Sequence, residues 1–212
     1  MANLERLSGH LQRGDADQVA AVTKAAIDEG LEAKTILDSG LIAGMAVVGE
    51  KFKKHEIFLP DVLLAAKAMY AGMDLLKPLL IKDGIPTIGK VVIGTVQGDL
   101  HDIGKNLVGI MLKGAGFEVI DLGRDVAPEK FIEAVQETGA SVIGMSALLT
   151  TTMPAMKRTV DLAREKGLYG KIRILVGGAP LSADYAKEIG ADAYCYDGMN
   201  AVDCVKRFMG AA

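Results

Sequence analysis

The sequence predicts an α/β protein in two parts, an N-terminal helical bundle and then a five-stranded parallel, doubly wound sheet of Rossmann-like or flavodoxin-like type. Three observations predict it. Helical periodicity runs to about Ile81, and strand–helix alternation takes over beyond residue 85. Five short runs of β-branched and apolar residues, near 90–96, 117–121, 141–145, 172–176 and 192–195, are separated by amphipathic stretches long enough for crossover helices. The residues that follow those runs are small and polar, as at the ligand-binding rim of an open α/β sheet.

The first part divides into about four helices. Leu4, Leu7 and Leu11 space a short one. Asp15 or Asp17 caps a second, carrying Val19, Val22, Ala26 and Ile27, and Gly30 ends it. A third runs from Leu31 to Phe52 through Ile36, Leu37, Leu41, Met45 and Val48. Lys53-Lys54-His55-Glu56 reads as a polar turn, after which Leu59-Pro60-Asp61 opens a helix with Val62, Leu63, Ala66, Met69, Met73 and Leu76 on its apolar positions. Four such helices suffice for a small bundle. Lys82-Asp83-Gly84-Ile85-Pro86 has the turn residues of a linker, so the expected domains are 1–85 and 86–212. In the second part, helices are expected near 104–115, 128–138, 153–167 and 182–189.

Composition narrows the function. Half of the 212 residues are hydrophobic, enough for a sizeable core, and the net charge of −3 is spread over interspersed acids and bases. This is no footprint for nucleic acid or for a membrane surface. Residues 1–17 are polar with scattered leucines, so no signal peptide is expected, the apolar strands are too short to span a bilayer, and Cys195 and Cys204 form no metal-ligand pattern. The expected compartment is the reducing cytoplasm.

The chemistry concentrates in Gly98-Asp99-Leu100-His101-Asp102-Ile103-Gly104, a loop running from the first strand into a helix. His101 sits at the carboxyl end of a buried strand, and Asp99 can bond one imidazole nitrogen while the other, made more basic, coordinates a metal. Gly104 permits close approach at the turn. On the same rim stand Ser146-Ala147-Leu148-Leu149-Thr150-Thr151-Thr152, Gly177-Gly178-Ala179-Pro180 and Tyr196-Asp197-Gly198. Each segment also has a purely structural reading: a surface turn, a helix cap or a tight strand-to-helix turn. Their coincidence on one rim is what points to a ligand. A dinucleotide site is disfavoured because the glycines at 94, 98 and 104 do not form G-x-G-x-x-G, and no P-loop lysine motif is present. A phospho-acceptor receiver gives neither the helical half nor His101 a role.

With Asp99, His101 and Gly104 as Asp-x-His-x-x-Gly, Ser146 and Leu148 as Ser-x-Leu, and Gly177 and Gly178 as Gly-Gly, the chain resembles the cobalamin (corrinoid) proteins of methyltransferase systems, related to the cobalamin-binding region of methionine synthase. The resemblance covers nearly the whole chain. It implies a cobalamin or related corrinoid whose nucleotide base is withdrawn from cobalt, with His101 as the lower axial metal ligand and Asp99 bonded to its other nitrogen. A relay serine of the family is replaced by Thr152, whose added methyl implies a looser relay. It further implies a cofactor cradle of Gly98, Asp102, Ile103, Gly104, Ser146, Leu148, Thr150, Gly177 and Gly178. The helical half would be a cap over the methyl group, with Phe52, Leu59 and Val62 against the cofactor. His55 lies where a glycine is common in relatives and reads as a solvated turn residue.

The implied activity is methyl carriage in one-carbon metabolism. Co(I) accepts a methyl group from a substrate-specific methyltransferase, and the group passes to a second methyltransferase acting on tetrahydrofolate or a thiol coenzyme. A reductive activator is a further implied partner, and no complete substrate site is expected on this chain. Two alternatives share the motif. The small subunit of an adenosylcobalamin-dependent mutase generally lacks a helical cap, and a corrinoid-sensing regulator would need a DNA-binding module for which the two halves leave no room.

Overall fold

The structure, a computed structural model, describes residues 2–83 and 88–210. The expected linker and the 85/86 boundary fall on residues 84–87, outside the described residues, apart from Lys82 and Asp83 at the end of a helix. Two compact units emerge: residues up to 87 together with Gly114–Gly116, and Ile88–Lys113 with Phe117 onward.

The first unit is helical: α1 (Ala2–Gln12), α2 (Ala16–Asp28), α3 (Ala33–Ile36), a π-helical stretch (Leu37–Ile42), α4 (Ala43–Lys53) and α5 (Leu59–Lys82). Asp15 caps α2 by accepting from the Gln18 amide at 3.2 Å, and Gly30, at φ +82°, turns the chain out of it. Leu7, Leu11, Val19, Val22, Ile36, Leu41, Val48, Val62 and Leu76 are buried, so the apolar spacing does mark the core. Two details differ from the periodicity. The expected third helix is helical from Ala33 to Lys53 but contains the π-helical stretch, whose extra residue per turn shifts the faces on either side of it. Gly40 and Gly44 flank this shift with α1 hard against them: a Cβ at Gly40 would stand 2.6 Å from Leu7 Cδ2, and one at Gly44 3.1 Å from Ser8 Cα. The second difference is Leu63, which is exposed, because Val62 and Ala66 already point α5 inward.

The second unit alternates β1 (Lys90–Thr95), α6 (Ile103–Gly114), β2 (Glu118–Asp121), α7 (Pro128–Thr138), β3 (Val142–Ser146), α8 (Pro154–Glu165), β4 (Arg173–Gly177), α9 (Ala183–Ile189), β5 (Ala193–Cys195) and α10 (Gly198–Phe208). All five strands are parallel, in the order β2-β1-β3-β4-β5, with Val92 level with Ile120 and Ile143, and Ile143 level with Ile174. Helices cover both faces, as successive residues of β1 reveal. A Cβ at Gly94 would stand 2.8 Å from Phe131 of α7, whereas Ile93 Cδ1 comes within 2.8 Å of the Cβ position of Gly109 on α6. Val92, Phe131, Ile143, Met156, Val160 and Ile174 belong to the main core. The two cysteines are free and buried, Cys195 ending β5 and Cys204 within α10. Among the described residues no helix is long and apolar enough to cross a membrane.

Candidate functional site

In a sheet ordered 2-1-3-4-5 the direction of winding reverses between β1 and β3, and the loops leaving those two strands part to open a crevice. Asp99 and His101 occupy the loop after β1, and Leu148 to Thr152 the loop after β3. The two loops meet at one carboxylate. Asp99 is fully buried and accepts five hydrogen bonds. Its Oδ1 takes the His101 amide at 3.0 Å and His101 Nδ1 at 2.8 Å. Its Oδ2 takes the Leu148 amide at 2.7 Å, the Leu149 amide at 3.1 Å and the Thr152 hydroxyl at 2.8 Å.

Burial opposes ionisation of Asp99, yet the bonds donated by the His101 and Leu148 amides, the imidazole and the Thr152 hydroxyl outweigh it and hold the carboxyl well below the usual carboxylate range. Asp99 is therefore an anion at neutral pH and can only accept, which makes His101 Nδ1 the donor. In the neutral ring this leaves the lone pair on Nε2. Among the described residues Nε2 has no partner, and the His101 side chain is 53% exposed against 0% for Asp99. The arrangement presents one oriented imidazole nitrogen outward from a buried, anionic anchor. The methyl of Thr152 does not loosen the relay, since its hydroxyl bond to Asp99 has ordinary length.

The rim around His101 is apolar and open. Leu100, Ile103, Leu148 and Leu149 are all exposed large hydrophobic residues. Asp102 begins α6 by accepting the Asn106 amide at 2.8 Å. Among the described residues, nothing beyond its chain neighbours and its own helix backbone lies within 4 Å of a Cβ built on Gly104, so the space that this glycine leaves is open. Ser146 ends β3 with its carbonyl accepting from Val96 at 3.0 Å, and Thr150 is exposed on the next loop. At the end of β4, Gly178 has φ +138°, and a Cβ there would stand 1.8 Å from the Ala147 carbonyl oxygen. The Gly177-Gly178 turn is thus pressed against the loop that holds Asp99. Phe52, near the end of α4, and Leu59, at the start of α5, are half-buried, while Val62 is fully buried.

Sequence reasoning missed several participants. The Leu148 and Leu149 amides act through the backbone, which side-chain identity does not report. Asp125 accepts the Gly98 amide at 2.7 Å from another loop, and Lys105 is a buried cation on Asp121 at 2.5 and 2.6 Å. The four-residue spacing of Asp121 and Asp125 around Gly123 is the only signal in the sequence that bears on them.

The comparisons agree with this geometry. One B12 binding domain family matches residues 89–205, and a second B12 binding domain family matches residues 4–77. A corrinoid protein of Desulfitobacterium hafniense (strain Y51) is 44% identical over 213 residues, covering 99% of each chain. A dimethylamine corrinoid protein of Methanosarcina barkeri is 44% identical over 207 residues, 97% of each. Among solved structures, the methanol:cobalamin methyltransferase complex of Methanosarcina barkeri is similar with a TM-score of 0.89 and 32% identity, over 100% of this chain and 81% of that one. Helical unit, switch-point histidine and full-length similarity together place this chain in the family of corrinoid proteins of methyltransferase systems, with a cobalamin or related corrinoid as its cofactor.

Proposed function

We propose that this protein is a methyl carrier that receives a methyl group from a substrate-specific methyltransferase and yields it to a second methyltransferase acting on tetrahydrofolate or a thiol coenzyme. The observation that carries the reading is the outward Nε2 of His101, held by Asp99 at 2.8 Å with Thr152 behind it at 2.8 Å. The relatives support the donor class, since they are named as dimethylamine and trimethylamine corrinoid proteins and a methanol:cobalamin methyltransferase complex. In this reading the carrier works in the cytoplasm and needs a reductive activator as a further partner.

The residues fit a corrinoid. A single oriented nitrogen suits a metal that arrives with its equatorial positions filled by its own macrocycle, and the exposed Leu100, Ile103, Leu148 and Leu149 suit the apolar body of such a ring. When bound, the corrinoid supplies a cobalt centre able to accept and release a methyl group. His101 would hold the cobalt through Nε2, keeping its proton on Nδ1. Asp99 orients the ring and, as an anion accepting from Nδ1, makes Nε2 a stronger donor. Thr152 and the Leu148 and Leu149 amides keep that anion in place. Gly98, Asp102, Ile103 and Gly104 frame His101. Ser146, Leu148, Thr150, Gly177 and Gly178 take up the nucleotide tail, the glycines letting the turn pack directly on the loop that carries Leu148. Of the three residues expected from the helical unit, the half-buried Phe52 and Leu59 are the ones able to shield the methyl group, whereas Val62 is fully buried within its own unit and makes no such contact.

The test is to load wild-type and His101→Ala protein with hydroxocobalamin, remove free cofactor by gel filtration, and record visible spectra and cobalt(II) EPR. With 15N-labelled histidine in both proteins, the expected result is histidine-derived nitrogen splitting on cobalt in the wild type and its loss in His101→Ala, with some cofactor retained. An identical spectrum in both proteins rejects His101 as the ligand.

A further inference from the structure

Asp125 is one of two non-glycine residues with positive φ among the described residues, at +56°. It lies in the loop between β2 and α7 and far in sequence from His101. A left-handed aspartate carries a small conformational cost that its contacts must offset. Those contacts grip the His101 loop twice. Asp125 Oδ1 accepts the Gly98 amide at 2.7 Å, and the Asp125 amide donates to the Asp99 carbonyl at 3.1 Å. Because the backbone at 125 is left-handed, amide and carboxylate of one residue reach two successive residues of the other loop.

The clamp is itself anchored. Asp121, ending β2, accepts both bonds of the buried Lys105, which lies on the helix that begins just after His101, and it also accepts the Gly123 amide at 2.9 Å. Gly123 and Val126 pair with Thr95, each at 2.9 Å, and the Thr95 hydroxyl donates to the His101 carbonyl at 3.1 Å. The loop after β2 therefore holds the Gly98–Asp99 end directly and reaches the His101 end only through its pairing with Thr95.

We propose that Asp125 is a positioning residue for the axial imidazole: by fixing Gly98 and Asp99 it sets the direction of the Asp99 carboxylate and hence of His101 Nε2. The proposal rests on His101 being the axial ligand. It assigns Asp125 no contact with cofactor.

Two variants separate hydrogen bonding from backbone strain. Asp125→Gly keeps the left-handed backbone at no steric cost and removes the acceptor, whereas Asp125→Asn keeps both an acceptor oxygen and tolerance of that φ. The cofactor-free proteins are compared first, by amide hydrogen exchange at Gly98. Loss of a hydrogen bond to a charged group corresponds to a roughly ten- to hundredfold faster exchange in Asp125→Gly, with Asp125→Asn near wild type. The proteins are then loaded with hydroxocobalamin and reduced to cobalt(II). Asp125→Gly is expected to give a mixed EPR signal, part with nitrogen splitting and part without, and Asp125→Asn the single wild-type signal. Wild-type exchange and a wild-type EPR signal in Asp125→Gly would overturn the proposal, as would equal damage in both variants. His101→Ala run alongside, with 15N-labelled histidine in every protein so that the cofactor's own base is distinguished, tells the readings apart: if the wild type shows no histidine-derived splitting, the axial-ligand reading fails, whereas its presence there, its loss in His101→Ala and no change in Asp125→Gly refute the clamp alone.

Discussion

Replacing Asp99 by Asn tests the relay most directly, because the two side chains have the same shape and differ in what they can accept. The carboxylate serves two donors on Oδ1 and three on Oδ2. An amide has one acceptor side. Turning its NH₂ toward Leu148, Leu149 and Thr152 would strand three donors, so the favoured orientation directs it at His101. There the His101 backbone amide loses its acceptor, at about 1–3 kcal/mol. The three bonds on the other side lose their ionic character and about half their strength. The sum is about 3–7 kcal/mol, which at roughly 2–4 °C per kcal/mol for a chain of this size lowers the melting temperature by roughly 10–20 °C. A second consequence is chemical. Facing an NH₂ donor, His101 Nδ1 becomes an acceptor and the ring proton moves to Nε2, which then has no lone pair for a metal. The assay is thermal melting of the cofactor-free protein together with cobalt(II) EPR after loading with hydroxocobalamin. A melting temperature within about 1 °C of wild type, or unaltered nitrogen splitting, would refute the reasoning.

Three further outcomes are expected. In the cofactor-free protein, the depressed pKa of Asp99 contributes stability that is fully present above the unfolded value of about 3.9 and is lost as pH falls toward the folded value. Wild-type stability should therefore decline below about pH 4 more steeply than that of Asp99→Asn in acid titrations followed by circular dichroism, and parallel declines would contradict this. Gly178→Ala places a Cβ 1.8 Å from the Ala147 carbonyl at a φ of +138°, so the loop carrying Leu148 must shift; gel filtration with hydroxocobalamin should find corrinoid retention reduced at least tenfold, and full retention would show that the turn has slack. Burial and then the neighbouring Cys204 raise the Cys195 thiol above its ordinary value, so iodoacetamide at pH 8 should leave Cys195 unmodified until denaturant is added, as mass spectrometry can establish.

Much of the architecture was legible because it rests on local rules. Short continuous runs of β-branched and apolar residues placed the five strands to within a residue or two, and Asp15 and Gly30 announced the ends of α2 by capping chemistry that needs only neighbours. The π-helical stretch was not legible, because nothing in Leu-Asp-Ser-Gly-Leu-Ile distinguishes a π-helical turn from a weak α-helical one, and what accompanies the shift is α1 packed against Gly40 and Gly44.

The site divides along the same line. By itself the sequence determined that an Asp-x-His pair follows a buried strand, since strand propensity and a two-residue spacing are properties of contiguous residues. Only the tertiary structure decided how firmly Asp99 is held as an anion, because three of the five bonds it accepts come from the Leu148 and Leu149 amides and the Thr152 hydroxyl, some fifty residues away. The left-handed grip of Asp125 belongs to the same class. Such bonds depend on how parallel strands order themselves in the sheet, and that order is set by the packing of the whole core rather than by any segment of the chain.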